Sequence, residues 1–179
     1  MRLSVFALIC LLLTACATQE KGRERISFNK EWRFALTEKQ ANASAPGTDD
    51  SDWRVLNLPH DWSIEADFSL DNPATPGGGA LPGGTGWYRK HFKLPESDKG
   101  KVIYIDFDGV YRNSKVWLNG HLLGFRPNGY VSFRYDLTPY LNYGKEENVL
   151  VVQADNSEQP NSRWYSGSGI YRNVWLSKT

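Results

Sequence analysis

The three histidines and the acidic residues are the side chains most able to support chemistry in this sequence. His60, His91 and His121 lie far apart, without the paired spacing of metal ligands, so no metal site is predicted. His60 and Asp61 are adjacent and imitate part of a catalytic triad. Neighbouring residues on an extended chain point to opposite faces, however, and a structural hydrogen-bonding role is the better prediction for this pair.

The glycine-rich stretches do not match the motifs of nucleotide or nucleophile sites. Gly77 to Gly79 and Gly83-Gly84 lack the Gly-Lys-Ser/Thr ending of a phosphate-binding loop. Ser166-Gly167-Ser168-Gly169 is not the G-x-S-x-G pattern that places a nucleophilic serine between a strand and a helix. No cofactor is therefore predicted.

A pair of carboxyl groups is the usual requirement for glycoside hydrolysis, with a separation of about 5 Å in retaining enzymes. The chain has 20 acidic residues, but no pair stands in a motif that suggests this geometry. It is also too short, at 179 residues, for a (β/α)8 barrel, which takes about 250. No catalytic residue is predicted, and the chain alone is expected to be inactive.

The amino terminus has the pattern of an export signal. Arg2 precedes an apolar run, Leu3 to Leu13, that is too short to span a bilayer as a helix. The sequence Leu13-Thr-Ala-Cys16 resembles the lipobox of bacterial lipoproteins. We therefore predict that residues 1–15 are a lipoprotein signal peptide, that Cys16 is lipidated, and that residues 16–24 are a tether. An ordinary signal peptide is the alternative. The predicted location is the bacterial cell envelope, in the periplasm or at the outer membrane.

Composition narrows the class of protein further. The formal net charge is +1 and no long run of one sign occurs, which argues against nucleic-acid binding. Both cysteines, Cys10 and Cys16, lie in the signal region, so no disulfide is expected in the folded part. The chain has seven Trp, nine Tyr and eight Phe, which favour strands and also suit sugar binding.

Short stretches of alternating apolar and polar residues predict the elements that would position a site. The predicted strands are 25–28, 32–36, 53–58, 87–94, 102–107, 114–118, 121–125, 131–135, 149–154 and 170–176. Asn119-Gly120 predicts a type I′ hairpin turn. With no long helical period, the pattern predicts an all-β fold, a jelly-roll β-sandwich over residues 25–179.

Three loops interrupt this pattern. Asp67 to Gly86 carries six glycines and three prolines, and Asp155 to Gly169 is a second long polar loop. Because such loops often carry binding residues, we predict that these two meet at one end of the sandwich. Lys39 to Asp52 is predicted to be a solvated loop. The predicted solvated ions, on strand faces or at an interface, are Arg89, Arg112, Arg134 and Arg172.

Four stretches identify a family. They are LPHDWSI (58–64), LPGGTGWYRKHF (81–92), IDFDGVYRNSKVWLNGHLLGF (105–125) and QPNSRWYSGSGIYRNVWL (159–176). Together they resemble the amino-terminal domain of glycoside hydrolase family 2, especially its β-galactosidase branch. The resemblance implies a jelly roll followed by an immunoglobulin-like domain and a catalytic barrel that carries two glutamates. Those downstream domains are expected partners that this sequence lacks; a fragment, a shortened gene product and a trimmed chain are all open.

The resemblance also implies sugar contacts from the loops. Asn72-Pro73 matches the Asn-Pro dipeptide of a sugar-contacting asparagine in larger β-galactosidases, although Asn72 could simply start a turn. The family's second contact, an aspartate, has no match here, and Asn161 or Arg163 could instead bond sugar hydroxyls. Trp164 and Tyr165 lie in the same loop and could stack on a sugar face. Asn72, Asn161, Arg163 and Trp164 are therefore the predicted substrate-binding residues.

The predicted function is that of a sugar-binding domain that completes the active site of a secreted family 2 β-galactosidase. Its predicted ligand is a terminal β-galactoside, and glucuronides and mannosides stay open. A stand-alone lipid-anchored carbohydrate-binding module and a non-functional remnant are the alternatives. Contact with a membrane is predicted only through the lipid anchor.

Overall fold

The computed structural model describes residues 22–37 and 43–179. The predicted signal peptide, Cys16 and most of the predicted tether lie outside these residues. The described part contains ten strands: β1 (Glu24–Ser27), β2 (Trp32–Leu36), β3 (Arg54–Leu56), β4 (Gly84–Phe92), β5 (Ile103–Phe107), β6 (Ser114–Leu118), β7 (His121–Arg126), β8 (Phe133–Asp136), β9 (Asn148–Asn156) and β10 (Val174–Lys178). Helical structure there is limited to 3-10 turns at Ser63–Glu65, Pro76–Gly78, Glu96–Asp98 and Thr138–Tyr140. None of it is long and apolar enough to cross a membrane.

The strands form two antiparallel sheets that pack face to face. One sheet has the order β1-β10-β5-β8 and the other the order β3-β2-β4-β9-β6-β7. Between them lies one large apolar core, to which Trp32, Ile105, Phe107, Leu150, Val152 and Leu176 contribute. The predicted all-β jelly-roll sandwich is confirmed.

Local patterns in the sequence account for β5 and for the β6–β7 hairpin. In β5 every second residue, from Ile103 to Phe107, is buried, because alternate side chains of a strand point to opposite faces. Asn119 and Gly120 have φ angles of 50° and 84°, and a type I′ turn requires positive φ at both positions. Both predictions are confirmed.

Most strand boundaries differ from the prediction by one or two residues, and the first residues of β4 and β10 differ most. Strand β4 begins at Gly84 rather than Trp87, and Gly86 lies within it. A Cβ on Gly86 would lie 2.4 Å from the Trp62 ring, so the glycine makes room for that indole. Strand β10 begins at Val174 rather than Ile170, because the Ile170 carbonyl accepts a hydrogen bond from the His60 amide (2.9 Å).

The prediction that Arg89 is a solvated ion is wrong. Arg89 is fully buried, and its Nε donates to Asp50 Oδ2 at 2.6 Å. Its remaining N–H groups donate to the carbonyls of Ala43 (2.7 Å), Ala45 (2.9 Å), Pro46 (3.0 Å) and Thr48 (3.5 Å). A guanidinium has five N–H donors, so every donor has an acceptor. We call Arg89, Asp50 and these carbonyls the arginine clamp.

The clamped segment also covers apolar surface, so the prediction of a solvated loop is wrong for its described part. Ala43 and Asp50 are both buried. Ala43 belongs to a second apolar cluster together with Trp53, Trp87, Val149 and Val151. The segment 43–50 is therefore part of the packed structure on the side of the six-stranded sheet that faces away from the main core.

Candidate functional site

The register of two central strands brings the two long loops together. Strands β4 and β9 pair over nine residues, with Gly84 opposite Asn156. Residues 67–83 precede β4 and residues 157–169 follow β9, so both loops connect to the same end of the six-stranded sheet. They meet in one cleft, whose lining includes Ala74, Gly78, Leu81, Ser162, Tyr165 and Gly167. We call this end of the sandwich the loop edge.

Small polar side chains hold the base of the loop edge. The Ser63 hydroxyl lies 2.6 Å from the Ser168 hydroxyl and 2.8 Å from the Pro82 carbonyl oxygen. The Asn156 amide donates to Ser168 Oγ at 2.8 Å and to the Gly167 carbonyl at 3.2 Å. Ser63, Asn156 and Ser168 are all buried, so these bonds fix both loops where they leave the sheets.

His60 and Asp61 have structural roles beside the loop edge, as predicted. His60 is buried, with Nδ1 2.8 Å from the Tyr88 hydroxyl and Nε2 2.8 Å from Arg54 Nη2. Burial lowers the pKa of His60, although nearby Glu65 acts in the opposite direction. Asp61 Oδ1 accepts the backbone N–H groups of Ser63 (3.0 Å) and Ser168 (2.9 Å).

Asn72 lies in the first loop, and its amide orders that loop. Its Nδ2 donates to the carbonyls of Asp67 (3.1 Å) and Ala80 (2.9 Å). Both amide hydrogens are thereby used, so a sugar hydroxyl could meet only the amide oxygen. The sequence left open a turn-forming role for Asn72, and its side-chain nitrogen has that role.

Asn161 is similarly engaged within the second loop. Its Nδ2 donates to Asn156 Oδ1 (2.7 Å) and to the Glu158 carbonyl (2.9 Å). Its Oδ1 accepts the hydroxyl of Tyr111 at 3.2 Å. A sugar contact by Asn161 would have to share that oxygen, so the contacts present describe a residue that shapes the loop.

Arg163 and Trp164 are presented to solvent at the tip of the second loop. Arg163 is exposed, and 62% of the Trp164 side chain is accessible. The Trp164 indole N–H points to the Tyr130 hydroxyl at a long 3.5 Å, and Tyr130 packs edge-on against Tyr111. Of the four predicted binding residues, Arg163 and Trp164 are the two whose side chains are exposed enough to contact a ligand.

Three tyrosines of the loop edge lie outside the predicted set: Tyr165 was considered for stacking on a sugar, whereas Tyr111 and Tyr130 were missed. Tyr111 bonds Asn161, Tyr130 contacts Trp164, and Tyr165 packs against Gly79 of the first loop. The dipeptide Asn128-Gly129 could have indicated a turn beside Tyr130, but the contact between Tyr130 and Trp164 depends on the tertiary fold. Across the described ranges, no cluster of three His, Cys, Asp or Glu side chains has a metal-binding arrangement.

Comparison with known proteins identifies the fold and the domain type. Residues 26–179 match the family model described as glycosyl hydrolases family 2, sugar binding domain. The chain belongs to glycoside hydrolase family 2. The matched region is its amino-terminal sugar-binding domain, and it includes both loops of the loop edge.

Several relatives of this family 2 domain carry activity names. Over 169 residues it is 62% identical to the β-galactosidase BoGH2A of Bacteroides ovatus, covering 93% of this chain and 20% of that protein. A β-glucuronidase of Formosa agariphila is 34% identical over 86% of this chain and 17% of its own length. A solved β-glycosidase from Bacteroides vulgatus superimposes with a TM-score of 0.83 at 50% identity, over 87% of this chain and 20% of that one. The chain thus spans about a fifth of the length of these relatives.

Proposed function

We propose that this domain forms one wall of the sugar pocket of a family 2 β-galactosidase and contacts the terminal β-galactoside through its loop edge. The observation that carries this proposal is the exposed Trp164, beside Arg163, on a loop whose base is fixed by hydrogen bonds. An aromatic ring held on an ordered loop offers an apolar face to a sugar ring, and the guanidinium offers donors to its hydroxyls. The 62% identity with a β-galactosidase supports a galactoside over a glucuronide.

Bond cleavage is proposed to rely on carboxylates outside this domain. Two acids at the loop edge serve as anchors, since Asp61 accepts two backbone N–H groups and Asp155 bonds the Ser157 hydroxyl at 2.6 Å. The domain would therefore act as a partner of downstream domains of the same enzyme. We expect the chain alone to release no product from a chromogenic β-galactoside. Release that is abolished by changing one acid of this chain would contradict this.

Export as a lipoprotein of the cell envelope is part of the proposal. Its support is the apolar run that ends in Leu13-Thr-Ala-Cys16. Mass spectrometry of the mature amino terminus should find residue 16 first and a diacylglyceryl mass on its sulfur. An unmodified cysteine, or cleavage at another bond, would contradict it.

A stand-alone carbohydrate-binding module is the second candidate, and one observation favours it. Trp164 and Tyr165 are 62% and 42% exposed in the isolated domain, so an aromatic platform exists without a partner. The two candidates differ in the affinity they predict. A wall of a larger pocket should bind weakly by itself, whereas a self-sufficient module should bind more tightly.

The test is a titration of the 15N-labelled chain with methyl β-galactoside, followed by NMR. We expect shifts confined to residues 67–83 and 155–169 and a Kd in the millimolar range or weaker, about 4 kcal/mol or less. Methyl β-glucuronide serves as the competing ligand and should bind more weakly. Micromolar affinity would favour the stand-alone module, and shifts only outside the two loops would contradict both candidates.

A further inference from the structure

Asp61 joins the segment between β3 and β4 to the second loop through both carboxylate oxygens. Its Oδ1 accepts the backbone N–H groups of Ser63 and Ser168, and its Oδ2 accepts the hydroxyl of Tyr165. The space around Oδ2 is tight, because a Cβ on Gly167 would lie 3.0 Å from it. One half-buried carboxylate therefore bonds the base of the second loop and a side chain near its tip.

Tyr165 carries this link onward to the first loop. Its hydroxyl is held by Asp61, while its ring lies against Gly79, whose Cβ position is 3.4 Å from Tyr165 Cδ2. Gly79 also has a φ of 96°, which favours glycine and leaves room for the ring. Tyr165 is thus a strut between Asp61 and the glycine-rich loop, and its immediate neighbour is the exposed Trp164.

The tip and the base of the second loop have separate anchors. The base is held by Ser63, Asn156 and Ser168, whose bonds do not involve Tyr165. At the tip, burial and the bond to Asp61 raise the pKa of Tyr165, so its hydroxyl stays a neutral donor over the pH range of a folded protein. Loss of the Asp61–Tyr165 bond should therefore free the tip without unfolding the base.

We propose that Asp61 is a positioning residue for sugar binding: through Tyr165 it sets the orientation of Trp164 and the closeness of the two loops. This inference rests on the proposed function of the loop edge. Asp61 does not itself need to touch the sugar, because its oxygens are occupied by three protein donors.

The experiment compares Tyr165→Phe with Tyr171→Phe. Tyr165→Phe removes only the hydroxyl that Asp61 binds and keeps the ring against Gly79. Tyr171→Phe removes a hydroxyl that donates to the Gly129 carbonyl at 2.8 Å, so it matches the chemistry outside the strut. We expect Tyr165→Phe to weaken binding of methyl β-galactoside about five- to tenfold, the effect of one lost hydrogen bond, with Tm nearly unchanged. Tyr171→Phe should bind as the unaltered chain does.

Two further measurements separate this inference from the proposed function. Amide hydrogen exchange of residues 163–166 should accelerate in Tyr165→Phe and in Asp61→Asn, whether or not a sugar binds. The effects of Tyr165→Phe and Asp61→Asn on binding should be less than additive in the double variant, because both act on the Asp61–Tyr165 bond. Unchanged exchange, or full affinity in Tyr165→Phe while Trp164→Ala loses binding, would overturn the positioning role and leave the proposed function intact. No binding by the unaltered chain would count against the proposed function alone.

Discussion

The arginine clamp and the loop edge fix long loops on the same six-stranded sheet by opposite means. In the clamp, the fully buried guanidinium of Arg89 holds Asp50 and four carbonyls of the segment 43–50. At the loop edge, small polar side chains and the half-buried carboxylate of Asp61 hold the base, and an aromatic tip stays in solvent. The segment 43–50 encloses the buried charge of Arg89, whereas the second long loop exposes the aromatic ring of Trp164 to solvent.

The difference shows which loop contributes stability and which contributes a surface. Breaking a buried ion pair strands a charge in a region of low polarity, whereas one neutral hydrogen bond contributes about 1 kcal/mol. The clamp also covers the apolar cluster around Trp53 and Trp87. We therefore expect changes in the clamp to lower the free energy of unfolding, and changes at the exposed tip to lower sugar affinity.

We expect the largest loss of stability from Arg89→Met, in the arginine clamp. The variant removes the buried cation beside Asp50, which keeps Arg33 and His91 as partners, and it leaves four carbonyls without their donor. The free energy of unfolding should therefore fall by about 3–5 kcal/mol. Arg134→Met is the matched control, since Arg134 pairs with Asp106 through a side chain that is 44% exposed. Its cost should stay below about 1 kcal/mol in the same urea denaturation. Equal losses in both variants would show that the clamp is not special.

Two glycines, one in each region, test how closely the backbone there is packed. Gly169, beside the loop edge, has a φ of 116°, and a Cβ there would lie 2.2 Å from the Tyr88 hydroxyl. Gly169→Ala should therefore destabilise the domain by about 2 kcal/mol. Gly47, in the clamped segment, has open space around its Cβ position, and Gly47→Ala should be nearly neutral. Thermal unfolding of both variants decides, and a neutral Gly169→Ala would contradict the close packing of Gly169 on Tyr88.

Acid should weaken the surroundings of the loop edge before it weakens the clamp. Burial lowers the pKa of His60, so the stability of its neutral form is complete above about pH 6.5 and is lost as the pH falls through the folded pKa. Burial alone would raise the pKa of Asp50, but hydrogen bonds from His91 and Arg89 outweigh it and lower that pKa. The contribution of Asp50 is therefore kept until the pH falls below its usual value of 3.8.

Urea denaturation between about pH 7 and pH 5 measures the first of these effects. The unaltered chain should lose stability over this range, and His60→Gln, which cannot take up a proton there, should lose clearly less. The same pH slope in both proteins would mean that protonation of His60 does not oppose folding.

The smallest effect on stability is expected at the tip. Trp164→Ala should change the free energy of unfolding by about 0.5 kcal/mol or less, because most of its side chain is already in water. It should nevertheless abolish the binding of methyl β-galactoside that NMR detects. Phe125→Ala on β7 removes another exposed aromatic, outside the two long loops, and should leave binding unchanged. Retained affinity in Trp164→Ala would remove the platform from the proposed function.

Features that depend only on residues adjacent in the sequence were predicted correctly. The alternation of Ile103 to Phe107 and the positive φ angles of Asn119-Gly120 are local, and they carried the all-β fold. The burial of Arg89 was not predictable, because its acceptors include backbone carbonyls as far as 46 residues earlier in the chain. Backbone carbonyls leave no signature in a sequence.

The same distinction between local features and tertiary contacts applies to the candidate site. Glycine and proline content located the two loops, and the β4–β9 register explains why they meet. The internal bonds of Asn72 and Asn161 depend on loop conformation, which composition does not specify. The position of Tyr165 in a polar loop suggested stacking on a sugar, but its contacts were not predictable, since its partners Asp61 and Gly79 lie about 100 and 90 residues away in the chain.

Strand β10 lies between β1 and β5 in the four-stranded sheet, so Glu24–Ser27 pairs with residues 175–178. During synthesis, β1 must wait about 150 residues for its partner, and one edge of β5 stays unpaired for about 70 residues. Pairings between such distant segments slow folding, and unpaired strand edges invite association with other chains. The nascent domain therefore cannot complete its smaller sheet until residue 178 has left the ribosome, and it needs protection from aggregation until then.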